Sequence, residues 1–290
     1  MMKVTIGSIT KYFSFIKFSH TVFALPFAII GFFLAVKSDD HDFSLRLLIL
    51  ILLCMVFARN AAMGFNRFAD RKFDALNPRT AGREIPAGKI GLRSAGIFVI
   101  INAVLFVVSA GLINRLTLFL SPVALIIILG YSLSKRITVL CHFILGLGLS
   151  LAPIGAYIAV TGRFELLPVI YSLIVLTWVS GFDILYALQD EEFDKENRLY
   201  SIPSWAGRKN AIIISSAVHF ITFALVVSAG LYRESGFLFW TGATLFSILL
   251  LYQHLIVKPS DISKVNLAFA TTNGIASITF AAFVISDLFL

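Results

Sequence analysis

Two groups of acidic residues have a spacing that can do chemistry. Asn66, Asp70 and Asp74 follow one another at intervals of four in "FNRFADRKFDALNPRTAG" (65–82). Each step of four turns an α-helix by 400°, so these side chains form a stripe that drifts only about 40° per step. Asp183, Asp190 and Asp194 follow at intervals of seven and four; seven residues is close to two turns, so they can share a face too. Either ladder alone has a plain reading as a solvated helix end. Two of them, each at the end of a long apolar run, have a sharper one. Carboxylates that face one another across a bundle repel unless a cation lies between. Hard divalent ions with oxygen ligands fill such a gap, and Mg²⁺ bound this way keeps positions for substrate phosphate. The ladders therefore predict a phosphate-bearing substrate bridged through Mg²⁺. Arg71, Lys72, Arg79 and Arg83 follow the first ladder, and Lys135 and Arg136 stand in another loop. Arg grips phosphate oxygens with two donors and Lys acts as a point charge. Singly, each could be a topological anchor; clustered beside an acidic ladder, they favour anion binding.

Two further polar positions lie inside apolar runs. Asp183 sits in "TWVSGFDILYAL" (177–188), where a carboxylate is expensive without a partner. Arg59 and Asn60 sit in an earlier run; Arg59 either approaches the pocket or pairs with Asp183 or with helix-end carbonyls.

The elements that must position these groups are membrane helices. The 290 residues are 58% hydrophobic and only 14% charged, well away from the balance of a soluble domain. Apolar runs of spanning length fall at 18–36, 46–66, 94–113, 116–133, 138–160, 166–189, 210–231, 236–257 and 265–287, which predicts an all-α, polytopic bundle of nine transmembrane helices. Pro26, Pro122, Pro153 and Pro168 fall near span ends or inside spans, where bundle neighbours absorb them. The first run reads as a retained helix, because no small-x-small cleavage site follows it. Of the 24 Lys and Arg, eighteen (among them Lys3, Lys11 and Lys17) fall in the N-terminal segment and the even loops, and five in the odd loops. The positive-inside rule then places the N-terminus and the even loops in the cytosol. The long second and sixth loops, which carry most of the acids, face that side. The net charge of +8 is spread over short gaps between apolar runs, which disfavours nucleic acid as a partner. Cys54 and Cys141 are lone residues in apolar runs and read as small buried hydrophobes.

The motifs resemble those of the UbiA superfamily of intramembrane prenyltransferases. "NRFADRKFD" (66–74), continuing "NPRTAGREIPAG" (77–88), is similar to the first Asp-rich motif, written NDxxDxxxD. "DILYALQDEEFD" (183–194) resembles the second, with Tyr186 and Gln189 inside it, and "YSLSKR" (131–136) the YxxxK element between them. "FSHTVFALPFAIIG" (18–31) looks like the first helix of the 4-hydroxybenzoate polyprenyltransferase branch. The likeness covers nearly the whole chain in the right order. One departure is Arg67, where the family has Asp; the first ladder has one fewer anionic ligand.

The resemblance implies one integral-membrane domain over 1–290, with two related halves that each hold one Asp-rich motif. It implies transfer of a polyprenyl group from its diphosphate to an aromatic acid. Asp70, Asp74, Asp190 and Asp194 would be catalytic, holding Mg²⁺ against the diphosphate, with Asn66 and Asp183 completing the shells. Arg71, Lys135 and Arg136 would bind diphosphate. Arg79, Arg83, Tyr186 and Arg198 are candidates for the acceptor, which is 4-hydroxybenzoate-like on a ubiquinone route or a hydroxynaphthoate on a menaquinone route; "ALQDEEFD" (187–194) resembles enzymes of the futalosine pathway. The expected setting is a bacterial inner membrane with the site facing the cytosol, the bilayer and two substrates as partners, and no obligate protein partner. Two rivals are weaker. A cation-coupled transporter places its carboxylates near the midplane in broken helices, whereas all but Asp183 lie at one rim. The DGxxAR…GxxxD spacing of a CDP-alcohol phosphatidyltransferase is absent.

Overall fold

Capping residues and prolines cut the apolar runs into helices. The computed structural model describes Phe15, residues 23–38 and residues 41–290; Lys3, Lys11, Lys17 and the first five residues of the expected 18–36 span lie outside these. The first helix is α1 (Leu25–Ser38), 14 residues long. Then come α2 (Leu45–Leu76), α3 (Leu92–Ile113), α4 (Arg115–Ser134), α5 (Cys141–Thr161) and α6 (Leu166–Ala187). A tight 3₁₀ turn at Leu188–Asp190 leads to the short α7 (Glu191–Glu196). The chain continues with α8 (Ile202–Tyr232), α9 (Phe237–Ile256), a π turn at Leu267–Thr272 and α10 (Asn273–Leu288). Among the described residues, eight helical segments are long and apolar enough to cross a membrane, and α1 is a shorter apolar helix. Strand pairing among them is limited to an isolated bridge between Lys258 and Asp261.

Two boundaries and one helical step differ from the sequence reading, each for a local reason. Helix α2 does not stop at 66. Ser44 caps its start by accepting from the Leu47 amide at 3.3 Å. The helix then runs for 32 residues, about 48 Å at 1.5 Å per residue, well beyond the ~30 Å hydrocarbon layer. It ends at Leu76 because Asn77 precedes Pro78, and a residue before proline is pushed out of helical geometry; Asn77 is extended. Helix α8 begins at Ile202 rather than 210, behind a reciprocal Ser201/Ser204 cap. Gly207 bends it, at φ 77° and ψ 164°, a conformation that favours glycine. Third, the second ladder does not ride on one straight helix: the 3₁₀ turn tightens the step between Asp183 and Asp190.

The core is aromatic. Phe27 of α1, Trp178 and Phe182 of α6, Phe246 of α9 and Phe280 of α10 form one buried cluster, with Phe27 and Trp178 ring centroids 5.3 Å apart. Helices α1 and α5 approach so closely that a Cβ on Gly31 would lie 2.1 Å from the Pro153 carbonyl oxygen. The outer faces of α3 and α4 carry exposed apolar side chains such as Ile100, Phe119 and Ile126, as lipid-facing surfaces do.

A charged chamber shared by the two acidic ladders

Both ladders border one cavity of about 610 Å³. Asn66, Asp70 and Asp74 reach it from the last turns of α2, and Asp183, Asp190 and Asp194 from α6, the 3₁₀ turn and α7. Below this polar rim the lining is mostly apolar, with Ile51, Phe106, Leu120, Ile127 and Leu149, and is interrupted by Arg59, His142 and Asp183.

The two ladders are tied together by the segment after α2. Asn77 Nδ2 donates to Asp190 Oδ1 at 3.0 Å, and the Arg79 amide donates to Asn77 Oδ1 at 2.9 Å. Arg79 Nε donates to Asp190 Oδ1 at 3.0 Å, and its Nη2 donates to Oδ2. Thr80 Oγ1 folds the segment back by donating to the Asp74 carbonyl at 3.1 Å.

Each acid of the rim faces its own cation. Arg136 Nη2 stands 2.9 Å from Asp70 Oδ1, whose Oδ2 accepts from Asn66 Nδ2 at 3.0 Å. Arg83 Nη1 stands 2.6 Å from Asp74 Oδ1. Lys135 Nζ lies 2.9 Å from Asp194 Oδ2, which also accepts from Ser201 Oγ at 2.9 Å. Burial alone would lower the pKa of Lys135, but the charges of Asp194 and Asp190 outweigh it and raise it. Burial likewise opposes the charge on Arg79, and its bond to Asp190 reverses the sign. Both side chains are cations here. The cations of these pairs keep 24–35% of their side chains exposed, so each contact holds the rim together by less than the ~3–5 kcal/mol of a fully buried pair.

The structure separates the expected site residues into groups. Asn66, Asp70, Asp74, Asp190, Asp194, Lys135 and Arg136 all border the cavity. Arg79, Arg83 and Tyr186 do too, although the two guanidinium groups are engaged by acids and Tyr186 OH accepts from Arg79 Nη1 at 3.1 Å. Arg71 and Arg198 are not among the lining residues. One step past Asp70 the helix has turned by 100°, and Arg71 instead donates to the Phe68 carbonyl and covers the Phe68 ring. Arg198 is in a left-handed turn at φ 55° beyond α7. Asp183 borders the cavity but stands apart from the other acids: it lies seven residues before Asp190, roughly 10 Å deeper along the helix, and its partner is His142, 2.7 Å away. Arg59 borders the cavity, so its approach to the pocket is observed.

Two lining residues, Asn77 and His142, were not singled out in the sequence. Asn77, which joins the ladders, follows the helix and precedes a proline; that local signal marks a cap, not a partner 113 residues away. His142 had a stronger signal, being titratable inside an apolar run. Arg67 is buried in the cavity wall, and its Nε has no hydrogen-bond partner.

The oxygen donors suit a hard divalent cation. Asp74 Oδ2 is buried with no hydrogen-bond partner, and the remaining donors are carboxylates and an amide, the ligand chemistry of Mg²⁺. Among the described residues, no three acidic, His or Cys side chains already converge on one point.

Comparison with known proteins places the chain in a family and a fold. The model of the UbiA prenyltransferase family matches residues 24–280. A 4-hydroxybenzoate octaprenyltransferase of Aliivibrio fischeri (strain ATCC 700601 / ES114) is 31% identical over 240 residues, 82% of this chain and 83% of the relative. The apo structure of a UbiA homolog from Aeropyrum pernix K1 is 33% identical with a TM-score of 0.83, covering 92% of this chain and 98% of that one. A UbiA homolog from Archaeoglobus fulgidus, solved bound to DMAPP and Mg²⁺, has the same fold at 23% identity, with a TM-score of 0.74 over 97% of this chain and 99% of that one. The chain is an integral membrane protein and belongs to the UbiA prenyltransferase family.

Proposed function

We propose that this prenyltransferase moves a polyprenyl group from its diphosphate to the ring of an aromatic acid of the 4-hydroxybenzoate type, in respiratory quinone biosynthesis. The observation that carries the reading is the junction of both ladders over one cavity, with a charged rim and an apolar floor. Such a chamber suits a diphosphate at the rim and its hydrocarbon tail below. The names of the similar octaprenyltransferases and the DMAPP and Mg²⁺ bound by the Archaeoglobus homolog support the same substrates.

Asp70, Asp74, Asp190 and Asp194, with Asn66, would hold Mg²⁺ against the diphosphate. Bound there, the ion would neutralise charge on the departing diphosphate and so ease rupture of the allylic C–O bond. Lys135, Arg136, Arg79 and Arg83 would exchange their carboxylate partners for phosphate oxygens, a direct use of preorganised donors. Tyr186 stacks on Phe269 with centroids 4.1 Å apart, and Phe182 stands 5.5 Å from Phe269. All three border the cavity and offer π faces to an allylic cation while keeping water from it. Arg67, between Asn66 and Asp70, and Arg59, deeper on α2, are cations in the cavity wall that would be within reach of an acceptor carboxylate. The charge bias of the loops supports a cytosolic N-terminus and a rim facing the cytosol, in the inner membrane of a bacterium.

The experiment is transfer in nanodiscs with labelled polyprenyl diphosphate, Mg²⁺ and a panel of aromatic acids. Prenylated 4-hydroxybenzoate is the expected product. A product from a hydroxynaphthoate alone would move the protein to a menaquinone route. Absence of any prenylated acid would overturn the reading.

A further inference from the structure

Asp183 differs from the other acids of the cavity in the kind of partner it has. Asp70, Asp74, Asp190 and Asp194 each face an Arg or Lys, whereas Asp183 faces an imidazole. That ring is held at both nitrogens. His142 Nδ1 lies 2.7 Å from Asp183 Oδ2, and Nε2 lies 3.2 Å from the Ile202 amide nitrogen. A backbone N–H can only donate, so Nε2 presents its lone pair and the ring's proton sits on Nδ1, donated to the carboxylate. His142 is fully buried, so the tautomer is fixed by protein contacts. Asp183 Oδ1 accepts no hydrogen bond from the described residues, and the side chain is part of the cavity wall, 21% exposed. Tyr186, three residues on and therefore on the same helix face, lines the wall beside it.

A carboxylate held by a neutral donor, below the cationic rim and open on one oxygen, is placed to accept a proton. Its four neighbours are not, because each already holds a guanidinium or ammonium group in an ion pair at the rim. We propose that Asp183 is the base that takes the proton from the acceptor ring, and that His142 is the residue that positions it. This rests on the prenyl-transfer reading above. In that reaction the allylic C–O bond breaks with its electron pair leaving on the diphosphate. A ring π pair then forms the new C–C bond. The C–H bond at that carbon breaks, its electron pair restores aromaticity, and the proton passes to Asp183 Oδ1. The resulting carboxylic acid returns the proton to solvent through the rim after product leaves.

The role separates Asp183 from the metal-side acids by which step fails. In wild-type protein, product formation from a ring-deuterated acceptor shows no primary isotope effect if deprotonation is fast. Asp183→Asn should lower product formation by about 10²- to 10⁴-fold and unmask that isotope effect. Ionisation of the donor should persist: a heavy-oxygen label in the bridging position of the prenyl diphosphate should still scramble within about threefold of the wild-type rate. His142→Gln, which leaves the acid in place, should show a smaller loss with the same isotope effect, and Asp183→Glu should recover part of the activity. Loss of scrambling in parallel with product would overturn the proposal and return Asp183 to the diphosphate side, as would near-normal turnover in Asp183→Asn. If Asp183→Asn is not recovered from membranes, the isotope effect in His142→Gln decides the matter, and its absence there counts against the proposal. Failure of the wild-type protein to prenylate any acid would refute the underlying reading instead.

Discussion

The pair between Arg79 and Asp190 should be measurable as a coupling energy. The guanidinium reaches one carboxylate with Nε at 3.0 Å and with Nη2 as well. The Asp190 side chain is 11% exposed and that of Arg79 is 32% exposed. Truncating one partner of a fully buried pair costs about 3–5 kcal/mol, but two features reduce this here. Arg79 is close to a third exposed and its charge can return to water, and Asp190 keeps the Asn77 donor when Arg79 is removed. Arg79→Ala and Asp190→Ala should therefore each cost about 2 kcal/mol, and the double variant about 2.5 kcal/mol, a coupling near 1.5 kcal/mol. Equilibrium unfolding in mixed micelles titrated with SDS would read all three. A coupling below about 0.5 kcal/mol, the range of an exposed surface pair, would refute the view that this contact locks the two ladders together.

Other expected outcomes concern the rim and the bundle separately. Asp70→Ala and Asp194→Ala should each lower turnover by about 10²- to 10³-fold, and chelation with EDTA should abolish wild-type activity until Mg²⁺ is restored. Gly31→Ala should destabilise by about 1–3 kcal/mol, because its Cβ would meet the backbone carbonyl of Pro153 rather than a movable side chain; thermal unfolding in detergent checks this. At the other end of the bundle, Asp287 accepts from Arg233 at 2.9 Å and from the Gly236 and Phe239 amides, both at 3.1 Å. Asp287→Ala should cost about 3 kcal/mol while leaving the Michaelis constants unchanged, since neither partner borders the cavity.

What could be read without coordinates was whatever depends on near neighbours. The four-residue spacing of Asn66, Asp70 and Asp74 specifies a stripe on any helix, and α2 supplies that helix to its last turn. Composition made the membrane bundle legible in the same way. What was hidden depends on contacts distant in sequence or on backbone breaks. Nothing local ties Arg79 to an aspartate 111 positions away, so it read as a free ligand for substrate. A straight-helix assumption carried Asp183 into line with Asp190, and the 3₁₀ turn at Leu188–Asp190 and the claim of His142 on Asp183 both escaped it. The start of α8 was missed because Gly207 and the polar residues around it look like a loop, while the reciprocal Ser201/Ser204 cap holds them as helix.

The matched cations of the rim bear on how a polyanion could settle there. With each of the four rim acids answered by its own base, docking at the rim is a trade of counterions, while Arg59 and Arg67 in the wall add positive charge of their own. Arg79 and Arg83 sit on the same short stretch after α2, and they are bound to acids of different ladders. A guest that recruits either one loosens a strut on which both banks of the vestibule lean, so occupancy and the posture of that stretch must change as one.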